Sequence, residues 1–305
     1  MITKATKKDK NNLYNLWKTI FAYEDGGFIN YFFKEMYKEN NFYLIKDAKD
    51  EMIKSGLHLE KRKLYFNNKL VEVGYLDKLF TVYKYRNQKL SETLLKAVLK
   101  ELKHHSLFTI AKYNKRFDLS KYGFEILSYK KKSKLYRKDL YNVDGYSISN
   151  NFKKEELLQL YKDFTKHFNL YFIRDKDYYK DYINVAKACK REIYVSRDQN
   201  KKIKGYMLLG YKESEVEVLE IVYLDSTALL TLLNKAMGLN NYIYIYSSPS
   251  ENFNLLFKNI EKQKIAHLMI KVNNQQLFNS LFNSTNARVK SLKNSYNKPQ
   301  HAGFL

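Results

Sequence analysis

The apolar positions change period several times along the first half of the chain. Leu13, Leu16, Trp17, Ile20 and Phe21 recur every three or four residues, which predicts an amphipathic helix ending at Glu24-Asp25-Gly26-Gly27. A second helix is predicted over about 29–37. Residues 42–45, 52–59 and 64–66 read as strands, Asn67-Asn68 as a turn, and 70–73 and 74–82 as the strands that follow. Leu90, Leu94, Leu95, Val98, Leu99 and Leu102 then line one face of a helix over 88–102. A strand at 107–111 and one or two more within 126–140 complete this half.

From about Tyr146 the order starts again. Helices are predicted at 153–167 and 175–187, strands at 193–196, 203–210 and 216–223, then a helix at 226–237 and a strand at 242–246. A helix at 251–260, a strand at 267–272 and a helix at 275–282 precede a polar tail. Two rounds of helices, strands, helix and strand predict a duplicated fold with helices covering sheets. The Tyr242–Tyr246 alternation reads as strand packing.

Composition narrows the function. The chain has 305 residues, 45% of them hydrophobic, enough for about two domains with real cores. One cysteine, Cys189, excludes an intrachain disulfide and a Cys-rich zinc site, and only His104 and His105 of the six histidines adjoin, so no metal is expected. The charged N-terminus lacks the apolar core of a signal peptide, and no apolar run reaches the roughly 18 residues of a membrane span. A cytoplasmic protein without a membrane partner is expected. Net charge is +23, which alone would suggest a nucleic-acid partner. The lysines are dispersed, however, with Lys130-Lys131-Lys132 the one short run, and dispersed lysine is usually a solvated surface. That weighs against nucleic acid.

The stretch from Tyr75 to Arg86, running into the helix from Gln88, resembles the acetyl-CoA-binding strand, loop and helix of GNAT N-acetyltransferases. Leu16-Trp17 with Phe21 and Glu24-Asp25, Ser55-Gly56-Leu57-His58-Leu59, and Tyr122-Gly123-Phe124-Glu125 resemble the enhanced intracellular survival (Eis) family of tandem GNAT proteins. Gly205-Tyr206, Leu219–Tyr223 and Pro249 resemble that family's second, non-catalytic unit, and His267–Val272 the strand opening its sterol-carrier-like third domain. The resemblance implies an α+β fold: two tandem GNAT-like mixed-sheet domains with helices on the sheet faces, at 1–141 and 142–262, and a short C-terminal remnant at 263–305.

It also implies acetyl-CoA as co-substrate and a primary amine, on a peptide or a small molecule, as acceptor; self-association stays open. Leu79, Phe80 and Thr81 would hold the pantetheine and polarise the thioester through backbone amides. Arg86, Asn87, Gln88, Lys89, Leu90, Ser91 and Glu92 would hold the pyrophosphate where a loop opens a helix. Glu24 and Asp25 would meet the acceptor ammonium. The chain departs from the family at two points: Lys89 replaces a loop glycine, and Leu119 stands where a tyrosine acts as acid. Tyr113 and Tyr122 are the substitute acids, and the carboxylate of Leu305 is the candidate base. Two other readings stay open: a degenerate GNAT protein binding CoA or a partner without turnover, and a basic nucleic-acid- or ribosome-associated protein.

Overall fold

Asn67 and Asn68 both take positive φ, +46° and +62°, the geometry of a two-residue turn that follows the strand twist. They join the two longest strands of the first unit. A computed structural model describes residues 1–283, excepting Arg116, Leu239, Asn259 and the side chain of Glu24. The elements of this part are β1 (Ile2–Lys4), α1 (Lys10–Ile20), α2 (Ala22–Asp25), α3 (Phe28–Tyr31), β2 (Phe42–Lys46), β3 (Ile53–Phe66), β4 (Lys69–Thr81), α4 (Leu90–His105) and β5 (Phe108–Lys112). The strands lie in chain order, each antiparallel to the next except β4 and β5, which are parallel across the α4 crossover.

Helices cover both faces of this sheet. On one side α4 buries Leu94, Leu95, Val98, Leu99 and Leu102 against Leu57, Leu59, Leu76 and Ala111. On the other, α1 and the residues that follow α1 and α3 bury Leu13, Trp17, Phe21, Phe32 and Phe33 against Phe42, Leu44 and Phe80. The helix predicted over 29–37 is regular only as far as Tyr31; Phe32–Met36 form a wider turn. That turn lets two consecutive rings face inward, Phe32 stacked on Trp17 and Phe33 edge-on to it.

The remaining elements are β6 (Glu125–Tyr136), β7 (Ser147–Ser149), α5 (Lys154–Thr165), β8 (Leu170–Phe172), α6 (Lys176–Ala188), β9 (Glu192–Arg197), β10 (Ile203–Lys212), β11 (Glu215–Tyr223), α7 (Ser226–Met237), β12 (Tyr242–Ser247), β13 (Glu261–Val272) and α8 (Gln275–Phe282). In the second unit the strands run β7-β9-β10-β11-β12-β6, with β11 and β12 parallel across α7. This is the β2-β3-β4-β5 plan repeated.

The structure corrects two sequence-based expectations. Residues 251–260 are not a helix: one turn at Phe253–Leu255 buries Phe253 beside Phe257, and the chain is already extended at Glu261. Nor does 263–305 begin a separate region at its described end. Leu268–Val272 pair antiparallel with β5, so the chain from His267 belongs to the first compact unit, with residues 1–128; residues 129–266 make the second. The boundaries expected at 141 and 262 differ because β6 and β13 each divide between the units.

Candidate active site

The register of β3 against β4 breaks at one point. Leu57 pairs with Leu79 and Leu59 with Leu76, so Asp77 and Lys78 together oppose His58. This is a β-bulge, which bends its strand and raises the local twist. On the other side of β4, pairing with β5 runs from Val73–Phe108 to Leu76–Ala111 and stops there. Beyond the bulge the two parallel strands therefore separate into a wedge, and one edge of residues 77–81 is unpaired by β5. Val82 N–H is bonded to Lys54 O. By the alternation of an antiparallel ladder, the N–H groups of Leu79 and Thr81 then point to the open edge.

The wedge leads to the N-terminus of α4. No side chain caps this helix, although each helix start leaves backbone donors without intrahelical partners. The loop before it turns through Asn87 at φ +66° and Lys89 at φ +56°. Lys89 thus adopts the left-handed conformation that a glycine takes freely, at a cost of about 1–2 kcal/mol for an ordinary residue. Arg86, Asn87, Gln88 and Lys89 are all exposed. Uncapped donors, a helix dipole and two exposed cations together suit a pyrophosphate.

The strand end and the helix start are tied together by hydroxyls. Ser55 Oγ donates to Phe80 O at 2.6 Å and lies 3.1 Å from Thr81 Oγ1, which is 2.6 Å from Ser91 Oγ. Gly56 is required here: a Cβ would lie 2.5 Å from the Phe80 ring. Residues 1–127 match the family model described as "Acetyltransferase (GNAT) domain". Over these residues the N-terminal unit is similar to a GNAT domain.

Solved structures share the fold over about nine-tenths of the chain. An Enterococcus faecalis protein described as a probable N-acyltransferase is 16% identical, with a TM-score of 0.76 over 91% of this chain and 74% of that one. A GCN5-related N-acetyltransferase from Anabaena variabilis is 14% identical, with a TM-score of 0.71 over 90% and 73%. Eis1 from Mycobacterium abscessus is 9% identical, with a TM-score of 0.67 over 92% and 75%. A comparison with curated proteins gives no match.

The other predicted residues fall as follows. Tyr113 follows β5, is 37% exposed and donates its N–H to His267 O. Tyr122 stacks on Phe117 beside Glu92 of the first turn of α4; burial, then the Glu92 charge, push its phenol above the ordinary tyrosine range. Leu119 is buried in the core under α4. Asp25 Oδ2 pairs with Lys18 at 2.5 Å and Oδ1 accepts the N–H of Ile29. Asp25 thus ties α1 to the start of α3. The Glu24 side chain and Leu305 lie outside the described residues.

Sequence reasoning missed the group around the bulge. Asp77 is half-buried; burial works to raise its carboxyl, but the charges of Lys78, Lys112, His58 and Arg62 outweigh it and hold it below the usual range. His58 is buried among Trp17, Phe32 and Phe42, which keeps its imidazole pKa low, while Glu60 at 3.8 Å opposes that shift. Glu60 is held in turn by Arg62, which lies 3.8 Å over the Tyr75 ring. A bulge has no sequence signature of its own, so nothing in the sequence singled out Asp77.

The second unit repeats the bulge and closes it. Leu208 pairs with Glu220 but Leu209 with Val218, leaving Leu219 extra on β11. Glu220 is then sealed by Arg174, at 2.6 and 3.1 Å, and by the hydroxyl of Tyr206 at 2.5 Å; Arg174 also donates to Tyr179. Here only Leu224 and Asp225 separate β11 from α7, and the Asp225 carboxylate accepts the N–H of Ala228 at 2.8 Å. A carboxylate on the helix start fills the position where a phosphate would bind and repels it.

Proposed function

We propose that the N-terminal GNAT domain transfers an acetyl group from acetyl-CoA to a primary amine, in an Eis-like tandem arrangement whose second unit does not bind CoA. The observation that carries this reading is the wedge at Leu76–Ala111 opening beside an uncapped helix start, against the carboxylate-capped counterpart in the second unit. The likeness to Eis1 supports the tandem arrangement.

The chain's own groups would act as follows. The N–H groups of α4 and the ammonium of Lys89 hold the pyrophosphate. The N–H groups of Leu79 and Thr81 hold the acyl arm on the β4 edge, where donors aimed at the carbonyl stabilise charge that develops on its oxygen. Asp77, held ionised, suits an ammonium of the acceptor and brings it to the wedge. The ammonium then gives one proton to water, the neutral amine attacks the thioester carbon, and the C–S bond breaks. The nitrogen loses its second proton to water as the amide forms, and the departing thiolate takes one up. With leucine in the core at 119, the thiolate's proton comes from water or from Tyr113 or Tyr122, which water then reprotonates, and turnover is slow.

Charge constrains the acceptor. A protein at +23 repels a polycation at long range, most strongly at low salt. The acceptor therefore carries a single amine or acidic neighbours, such as a peptide lysine or N-terminus. The test is a thiol-release assay with acetyl-CoA, comparing neutral and acidic peptides, polyamines and an aminoglycoside at two ionic strengths. Faster turnover of the aminoglycoside at low salt would overturn the acceptor reading; no release with any amine would overturn the transfer reading.

A further inference from the structure

Leu76 and Ala111 are the last residues paired between β4 and β5, and both face the α4 side of the sheet. Side chains alternate along a strand, so the next residue on each, Asp77 and Lys112, turns to the opposite side. These two stand across the mouth of the wedge from each other. Lys78 joins them, because the bulge sets it beside Asp77, and its Nζ lies 4.8 Å over the ring of Phe21 at the end of α1. On this side the mouth thus carries one carboxylate and two ammonium groups.

Asp77 is half-buried and Lys112 exposed. Among the described residues Asp77 accepts no hydrogen bond and makes no ion pair. Glu60, by contrast, is held by Arg62 at 2.8 and 3.0 Å. Burial works to raise the Asp77 carboxyl, and the charges of Lys78 and then Lys112 lead the set that holds it below its usual range. The lysines are therefore near enough to be felt and too far to touch, which leaves a gap with both signs on its walls. An acceptor that is only a cation fits this gap badly, since its ammonium reaches Asp77 but sits beside two like charges. A carboxylate next to the amine turns that repulsion into attraction.

Resting on the reading that this wedge transfers an acetyl group, we infer that the acceptor is a free α-amino acid, its ammonium on Asp77 and its carboxylate on Lys112. Lys112 takes the contact because its side chain is exposed, while Lys78 lies against Phe21. In an α-amino acid one carbon separates the nitrogen from the carboxylate, so a single small molecule presents both charges to the gap. A peptide lysine or N-terminus offers no carboxylate at that distance. The α-ammonium gives one proton to water, the nitrogen bonds the acetyl carbon as the C–S bond breaks, and its second proton also leaves to water. The thiolate takes up one proton, so the products are an N-acetyl amino acid, CoA and one proton. The product keeps its carboxylate but has no ammonium, so its hold on Asp77 is gone.

The test measures thiol release from acetyl-CoA with glycine, leucine, phenylalanine and glutamate, each against its own α-amide, which keeps the ammonium and lacks the carboxylate. The amide has the less basic amine, so more of it is neutral and intrinsic reactivity favours it. Amino acids should nevertheless lead in kcat/KM by about tenfold, the effect of one charge-assisted hydrogen bond. Lys112→Met should lower kcat/KM for the amino acid through KM and raise it for the amide, whose ammonium loses a like-charged neighbour. A merely structural role would move both in the same direction. Lys112→Gln, checked with it by circular dichroism, replaces it if it does not fold. Amides as good as their amino acids, a peptide with an acidic second residue faster than any amino acid, or parallel losses in Lys112→Met would overturn the proposal. Where no amine releases thiol, the transfer reading fails by itself, and calorimetric titration of amino acid and amide into the protein with CoA decides the site. Heat from the amino acid alone, lost in Lys112→Met, upholds it, and any other result overturns it.

Discussion

Thr81 Oγ1 lies 2.6 Å from Ser91 Oγ, so the last residue of β4 is hydrogen-bonded to the first turn of α4. The β4 edge and the α4 start proposed to hold acetyl-CoA are thereby fixed relative to each other, with Ser55 as the third hydroxyl of the chain. Thr81→Val keeps the shape and removes the tie. We expect a stability loss of about 1 kcal/mol and acetyl-CoA affinity reduced severalfold, measured by urea unfolding and calorimetry. Unchanged affinity would mean that helix and strand are held in place without it.

Lys89→Gly separates strain from charge. Glycine at φ +56° removes the left-handed penalty but gains unfolded-state entropy, so stability should change by less than about 1 kcal/mol. Acetyl-CoA binding should weaken, and its salt dependence should flatten, because the exposed ammonium is lost while the backbone path stays. Tighter binding would instead show that the side chain obstructs the cradle.

In the second unit, Arg174→Met should be among the most destabilising single changes. It leaves Glu220 buried without its cation, which costs about 3–5 kcal/mol. Replacing both partners by apolar residues should cost much less. Acetyl-CoA affinity at the first unit should not change while the protein remains folded. Comparable losses from single and double replacement would argue against a buried charged pair.

His58 predicts a pH dependence. Its pKa is below the usual value in the fold, because burial in the Trp17–Phe32–Phe42 box outweighs the opposing charges of Glu60 and Asp77; Arg62 and Lys78 lower it further. Above the unfolded pKa of about 6.5 both states are neutral and this residue exerts no effect. As pH falls through 6.5 towards the folded pKa, the unfolded state takes up the proton first and stability is lost. His58→Phe should flatten the fall in urea midpoint between pH 7 and pH 5. An identical slope in the variant would place the pH sensitivity elsewhere.

How much of this was legible differs by element. The periodicity of Leu90 to Leu102 gave α4 because its buried face repeats every three or four residues without interruption. The duplicated order was legible for the same reason. The bulge at Asp77–Lys78 was not, since it depends on which β3 residues lie opposite. The sequence does not show that Lys18 and the Ile29 N–H both reach Asp25, because that contact depends on how α1 and α3 meet. Residues 267–272 read as the start of something new; their pairing with β5 is a contact over more than 150 residues, which local pattern does not encode.

On this reading α4 is open to acetyl-CoA and α7 is closed. Calorimetric titration of acetyl-CoA into wild type and into Lys89→Asp tests it most directly, because the variant places at the N-cap of α4 a carboxylate like the one Asp225 places at the N-cap of α7. One acetyl-CoA per chain is expected for wild type and a large loss of affinity for Lys89→Asp, beyond that of Lys89→Gly, with the fold retained. Two sites per chain, no binding to wild type, or undiminished binding to the variant would contradict it.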